Sequence, residues 1–231
     1  MAKIALVTGA SSGLGQAISQ ALGGVGYQLI LTSRTNTSDQ KIITADLSSL
    51  LSINRLIDSV KKQIKKLDVI VNVAGIWHGK NEVYAGKNLT EFSEKTVIDT
   101  MTVGAVAPLL LCYHLLPLMP PKSHIINISG TFESGAKGWL PYFVSKRAIE
   151  DLTIGLAQDM AEKQIQVNGI SPSDMATQAY KKFFPQFYND GINPNLVARE
   201  VVKLVSTFDP KLSGKIFVMK KGQKSFTAFH Y

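Results

Sequence analysis

The chain has 231 residues, 45% of them hydrophobic and 18% charged. That length suits one α/β domain, 1–231, and the composition excludes intrinsic disorder. The net charge of +8 sits in scattered pairs, Lys61-Lys62, Lys65-Lys66, Lys181-Lys182 and Lys220-Lys221, so solvated helix faces and loop ends are expected, not a nucleic-acid surface, while a phosphorylated ligand would be attracted.

In chain order, Lys3–Val7 is a short β-branched run that meets glycine at once, so no signal peptide is expected. Leu14, Ala17, Ile18, Ala21 and Leu22 share one helical face, stopped by Gly23, Gly24 and Gly26. Gln28–Thr32 and Lys41–Ala45 read as strands, and Ile53, Leu56, Ile57, Val60 and Ile64 mark the next amphipathic helix. Val69–Val73 reads as a fully buried strand. A long helix is expected over Glu91–Leu118, bent near Pro108. No Asp, Glu, Lys or Arg occurs from Thr100 to Pro121, a stretch nearly long enough to span a bilayer, which takes about 20 residues. Its Gly104, Pro108, Tyr113, His114 and Pro117 favour a helix buried between sheet and neighbour. Cys112 lies in it; as the single cysteine it excludes an internal disulfide and a cysteine metal cluster, and it fits an inert thiol in a reducing cytosol. His124–Ile128 is a strand, Tyr142–Lys163 a helix, Gln166–Ile170 a strand and 171–193 loop-rich. Asn195–Phe208 is a helix and Lys215–Met219 the last strand. Strands alternating with helices predict parallel pairing with right-handed crossovers: a Rossmann-type, doubly wound α/β sheet in three layers, α/β/α.

The first strand leads into Thr8-Gly9-Ala10-Ser11-Ser12-Gly13-Leu14-Gly15, which opens the first helix. A dinucleotide site needs a tight turn there, backbone close to the pyrophosphate, and the free N–H groups of a helix start. Ser33-Arg34 ends the second strand, where an acidic residue would hold a ribose 2′-hydroxyl. An arginine can instead pair with a 2′-phosphate, which favours NADP(H) over the plainer reading of a surface arginine. Tyr142 and Lys146 are i and i+4 on one helix. A nearby ammonium lowers a tyrosine pKa from about 10 and turns the phenol into an acid/base group.

The spacing Gly-x-x-x-Gly-x-Gly, then Asn72-Val73-Ala74-Gly75, a serine and Tyr142-x-x-x-Lys146, in that order between Lys3 and about Gly222, resembles the short-chain dehydrogenase/reductase family. The resemblance implies hydride transfer between a nicotinamide and a carbonyl or alcohol. Tyr142 would be the proton donor in reduction, and Lys146 would tune it and bind the nicotinamide ribose. It implies cofactor contacts from Gly9, Ser11, Ser12, Gly13, Leu14, Gly15, Ser33, Arg34, Asp46, Leu47, Asn72, Ala74, Gly75, Tyr142 and Lys146. Pro172, Met175 and Thr177 follow beside the nicotinamide. For the serine that orients the carbonyl, two alignments compete. Counting back from Tyr142 selects Ser129; anchoring on Asn127-Ile128-Ser129 puts Gly130 there, with Thr131 as substitute. Departures from the family pattern are Val73, Met101 in place of a relay asparagine, Ser173 in place of glycine, and Met219-Lys220-Lys221-Gly222.

The family's variable substrate lid falls at about 177–195 and holds Tyr180, Phe183, Phe184, Phe187 and Tyr188. These line an apolar pocket or pack the lid down; Trp77 and His78 stand to edge the same cleft, and the aromatic tail Phe226–Tyr231 is placed to dock on a neighbouring subunit. No histidine spacing suits a metal. The resemblance implies a cytoplasmic homodimer or homotetramer acting on a small carbonyl or alcohol, with no membrane or nucleic-acid partner. The competing reading is a nucleotide-binding sensor of the same fold with weak or no catalysis, which the departures favour and the intact Tyr142 and Lys146 oppose. Nucleic-acid binding, a third reading, has little beyond net charge.

Overall fold

The computed structural model describes residues 2–35, 42–133 and 135–231. Strands β1 (Ile4–Thr8), β2 (Gln28–Ser33), β3 (Ile42–Thr44), β4 (Val69–Asn72), β5 (His124–Ile128), β6 (Gln166–Pro172) and β7 (Ile216–Met219) are parallel, and β8 (Phe226–Thr227) is antiparallel to β7. They form one sheet in the order β3-β2-β1-β4-β5-β6-β7-β8. The helices are α1 (Gly13–Gly24), α2 (Leu50–Gln63), α3 (Glu94–Met101), α4 (Ala107–Leu115), α5 (Leu140–Asp159), α6 (Gln178–Phe183) and α7 (Pro194–Ser206).

The period-2 alternation of strand side chains divides the core. Ala5, Val7, Val69, Val71 and Ile126 pack with Ile18 and Leu22 of α1 and Val197 and Val201 of α7. Leu6, Ile70 and Ile125 face the other way, onto Ile53 and Leu56 of α2, Leu111 and Leu115 of α4 and Leu156 of α5. Helices therefore cover both faces of the sheet, the doubly wound three-layer arrangement that the alternating pattern predicts. The chain lays β2 and β3 on one side of β1, then returns to place β4 on the other. This reversal opens a crevice above the carboxyl ends of β1 and β4, where open α/β sheets bind ligands.

The expected long helix is subdivided. A 3-10 turn at Leu89–Glu91 precedes α3, which starts one turn later than expected because the Ser93 side chain caps it by accepting from Thr96 N–H. A π turn, Thr102–Val106, then joins α3 to α4. Pro108 has no N–H to give the preceding turn, and the π turn falls just before it. Gly104 lets α5 approach here: a Cβ on it would lie 2.6 Å from the Ser145 Cβ. The whole run Glu94–Leu118 is long and apolar enough to cross a membrane by length and composition. Its inner side is core, with Leu111, Cys112 and Leu115 fully buried, while Ile98, Val106, Leu109 and Tyr113 are exposed.

Helix α5 starts two residues before Tyr142, with Pro141 in the first turn where its missing N–H costs nothing, and it ends at Asp159, four residues short of expectation. The loop-rich stretch contains α6, capped by Thr177 accepting from Tyr180 N–H. The third strand's expected first residue, Lys41, lies outside the described residues. The tail turns back on its own chain. β8 pairs with β7, Tyr231 O accepts from Phe132 N–H (3.1 Å) and from the Arg147 guanidinium (2.7 Å), and His230 N–H donates to Glu150 (2.8 Å).

Candidate active site

The crevice is a cleft of about 1230 Å³ running from the β1–α1 turn past the end of β4 to the lid. At its floor Gly9 has φ +66°, and a Cβ on it would press within 3.2 Å of the Ala74 Cα. At Gly15 a Cβ would collide with the Gly9 backbone, so only glycine fits at both places. Thr8 Oγ1 ties the two turns together, accepting from Val73 N–H (2.9 Å) and Ala74 N–H (3.2 Å). Among the described residues, the Ser12 side chain does not cap α1 and no acidic residue occupies its first turn. The first-turn amides and the dipole therefore face the cleft, as an anion site requires.

Ser33 donates to Ser11 Oγ at 2.6 Å, joining the end of β2 to the glycine turn, and Arg34 stands exposed at the cleft edge. Asp46 lies opposite. Burial alone would raise its carboxyl, but the hydrogen bonds from Ser48 and the nearby charges of Arg34 and Lys95 prevail and lower it. Ser11, Ser12, Gly13, Leu14, Leu47, Gly75, Pro172, Met175 and Thr177 also line the cleft. Asn72 does not. It is buried beneath the floor, donating to Asn127 Oδ1 at 2.8 Å, and Asn127 in turn donates to Thr153 Oγ1 at 2.9 Å. Its expected cofactor contact is therefore corrected: the last residue of a central strand points into the sheet's own polar seam.

Tyr142 and Lys146 come together on one face of α5 as their spacing predicts, with Lys146 Nζ 5.4 Å from the ring centroid of Tyr142. Lys146 is 2% exposed and donates to Ile128 O at 2.8 Å. Burial pulls its ammonium down to about 8, opposed by the Glu150 carboxylate. The expected lowering of Tyr142 is reversed: burial, aided by the Asp174 carboxylate, raises the phenol above its ordinary range. An ammonium that is itself destabilised by burial, and turned toward a backbone carbonyl, does not outweigh the desolvation of the phenol.

Ser129 lines the cleft with Tyr142 and Lys146. Its hydroxyl is turned to the Glu150 Oε1 (2.5 Å) and the Lys146 carbonyl (3.1 Å), and the residue is 4% exposed. A substrate oxygen would compete with a buried carboxylate for one hydroxyl proton. Thr131, half-buried on the cleft wall, is the next hydroxyl along the chain.

Glu150 itself escaped the sequence reading, although the i, i+4 step that joins Tyr142 to Lys146 reaches it when repeated. Buried at 1% exposure, it receives Ser129, His230 N–H and, at 3.4 Å, Arg147. Trp139 and Phe132 were missed too; each lies in the cleft, their ring centroids 6.2 and 6.0 Å from that of Tyr142. The signal for Trp139 was its place one helical turn before Tyr142. The lid aromatics divide. Phe183 packs α6 down onto Trp77 and His78, whereas Tyr180, Phe184 and Phe187 line the cleft.

A family model described as short chain dehydrogenase matches residues 3–186. The chain is 29% identical to the 5-keto-D-gluconate 5-reductase of Escherichia coli (strain K12), over 76% of this chain and 73% of that one. It is also 29% identical to the chloroplastic NADPH-dependent aldehyde reductase 1 of Arabidopsis thaliana, over 76% and 66%. The structure of landomycin C-6 ketoreductase LanV with bound NADP and rabelomycin superposes with a TM-score of 0.82 at 24% identity, covering 95% of each chain.

Proposed function

The chain belongs to the short-chain dehydrogenase family and is an oxidoreductase, and on that premise we propose that it is an NADPH-dependent carbonyl reductase in which Tyr142 is the proton donor. The observation that carries the reading is the placement of the Tyr142 phenol on the cleft wall, with the buried Lys146 ammonium 5.4 Å from its ring centroid. A phenol raised in pKa keeps its proton at neutral pH, and a developing alkoxide is basic enough to take it.

The residues present fit NADP(H). Gly9, Gly13 and Gly15 leave room for a pyrophosphate at the start of α1, and Ser11, Ser33 and Arg34 surround the place of a 2′-phosphate. Asp46 and Leu47 flank the adenine end, and Ala74, Gly75, Lys146, Pro172, Met175 and Thr177 the nicotinamide end. When bound, the cofactor supplies the hydride that the carbonyl carbon accepts as its π bond breaks. Tyr142 then gives its proton to the oxygen, and solvent returns one to the phenolate. Lys146 holds positive charge beside the phenolate as it forms. Thr131 takes the orienting role first expected of Ser129, which instead holds Glu150 behind Lys146.

Residues 1–231 read as one dinucleotide-binding domain with its lid at about 177–195. The protein acts on a small molecule. The exposed apolar side chains Ile98, Val106, Leu109 and Tyr113 support a homodimer or homotetramer, and the single buried Cys112 supports a cytoplasmic location. The test is isotopic: NADPH carrying deuterium at both C4 positions and a ketone are incubated with the protein, and the alcohol is analysed by mass spectrometry. Deuterium on the carbinol carbon is expected; a product without it, or NADPH bound without product from any carbonyl, contradicts the reading and favours a nucleotide sensor.

A further inference from the structure

Both tryptophans of the chain, Trp77 and Trp139, stand in the cleft at the end that holds Tyr142. Four segments bring aromatic rings to this place. Trp77 comes from the turn after β4, Phe132 from the segment after β5, Trp139 from the start of α5 and Phe184 from the end of α6. All four are half-buried, with part of each ring left to solvent. Phe132 and Trp139 approach the Tyr142 ring at 6.0 and 6.2 Å between centroids. Phe184 lies 6.0 Å from Trp139 and 6.4 Å from Trp77, inclined to the latter by only 26°. A folded chain gains by burying such rings, so rings converging from separate segments onto one concave wall mark a surface that an apolar ligand completes.

Charge gives a second, independent indication. Asp174 lines the same end of the cleft, its carboxylate held by the Tyr180 hydroxyl at 2.8 Å. Its field acts on Tyr142, raising the phenol's pKa after burial has done so. A substrate carboxylate brought near Tyr142 would meet that same field. Two ammonium groups line the cleft: Lys146 is 2% exposed and already donates to Ile128 O, and Lys137 is exposed, where solvent screens it.

We propose that the substrate is an uncharged carbonyl compound bearing an aromatic ring, seated against Trp139, Phe184 and Trp77 with its carbonyl oxygen at the Tyr142 hydroxyl, and that keto acids are disfavoured. The proposal deepens the carbonyl reductase reading and rests on it. It separates this chain from the 29% identical relative named for 5-keto-D-gluconate, a polyhydroxy acid.

The test uses two probes, 2-acetonaphthone and 5-keto-D-gluconate, on the full chain with NADPH. Turnover is followed by NADPH oxidation and binding by tryptophan fluorescence, corrected for probe absorbance, because both tryptophans flank the proposed seat. Saturable quenching by 2-acetonaphthone is expected, with a kcat/KM at least about tenfold above that for 5-keto-D-gluconate, a difference of about 1.4 kcal/mol. Trp139→Ala is expected to lose about tenfold toward 2-acetonaphthone, in line with the loss of one aromatic contact and its buried area. Phe184→Leu, outside any helix and retaining an apolar side chain, keeps the test open should Trp139→Ala unfold. Asp174→Asn is expected to narrow the preference by improving 5-keto-D-gluconate. Preference for 5-keto-D-gluconate, or no saturable quenching by 2-acetonaphthone, overturns the proposal while leaving reduction intact. Saturable 2-acetonaphthone binding with no turnover of either probe supports the aromatic seat and overturns the reductase reading instead.

Discussion

Replacing Lys146 by methionine is expected to make the protein more stable at neutral pH and inactive. The ammonium is 2% exposed and its pKa is pulled from 10.5 to about 8, chiefly by burial. Because the folded pKa is the lower one, the native state binds fewer protons than the unfolded state between these values, so stability rises with pH across that window. Below pH 8 the charge carries its full cost, about 3 kcal/mol at pH 7, falling to about 1 kcal/mol at pH 10. Methionine removes that cost at both pH values but also forfeits the hydrogen bond to Ile128 O, about 1 kcal/mol. The net expectation for Lys146→Met is a gain of about 2 kcal/mol at pH 7, disappearing by pH 10. In a domain of this size that is a rise in Tm of about 4–8 °C at pH 7. Urea unfolding of both proteins at pH 7 and 10, followed by circular dichroism, measures it. A variant less stable than the parent at pH 7, or an equal gain at both pH values, would refute the argument that Lys146 is a charge held against its burial cost.

Two further expectations follow from the site. Glu150 raises the Lys146 pKa and anchors Ser129, so Glu150→Gln is expected to move the alkaline limb of the kcat/KM profile to lower pH, an effect beyond simple destabilisation; an unchanged limb at reduced Tm would make Glu150 merely structural. Arg34→Ala is expected to weaken NADPH binding by tenfold or more, the worth of about 1.5–3 kcal/mol for hydrogen bonds to a charged group, and to leave NADH binding nearly unchanged; equal losses for both would deny Arg34 the 2′-phosphate.

The parts of the fold legible in the sequence are those fixed by local period. Val69–Val71 and, apart from Asn127, Ile125–Ile128 are β-branched apolar runs that suit a sheet buried on both faces, and α2 shows its buried Ile53, Leu56, Ile57 and Val60 at helical spacing. Helix α6 was not legible because its six residues carry no period of their own; Thr177 caps it and Tyr180 and Phe183 hold it against distant Trp77. β8 is two residues long and exists through its pairing with β7. In the site, backbone-determined positions such as Gly9, Gly13 and Gly15 could be read from their spacing, since turn and helix start are local. Where a side chain points depends on what surrounds it. Asn72 turns into the Asn127–Thr153 seam and Ser129 onto Glu150, partners 55 and 21 residues away in sequence. The pKa of Tyr142 likewise follows from its enclosure, which i, i+4 spacing to a lysine does not reveal.

The central claim is that Tyr142 gives the proton to a carbonyl oxygen, and its most direct measurement is NADPH oxidation by the parent and Tyr142→Phe with the same ketone, alongside NADPH titration of each. The account predicts that the variant binds NADPH within about twofold of the parent and loses at least the 10²–10⁴-fold that a positioned acid contributes. Turnover by Tyr142→Phe at the parent's rate would contradict it.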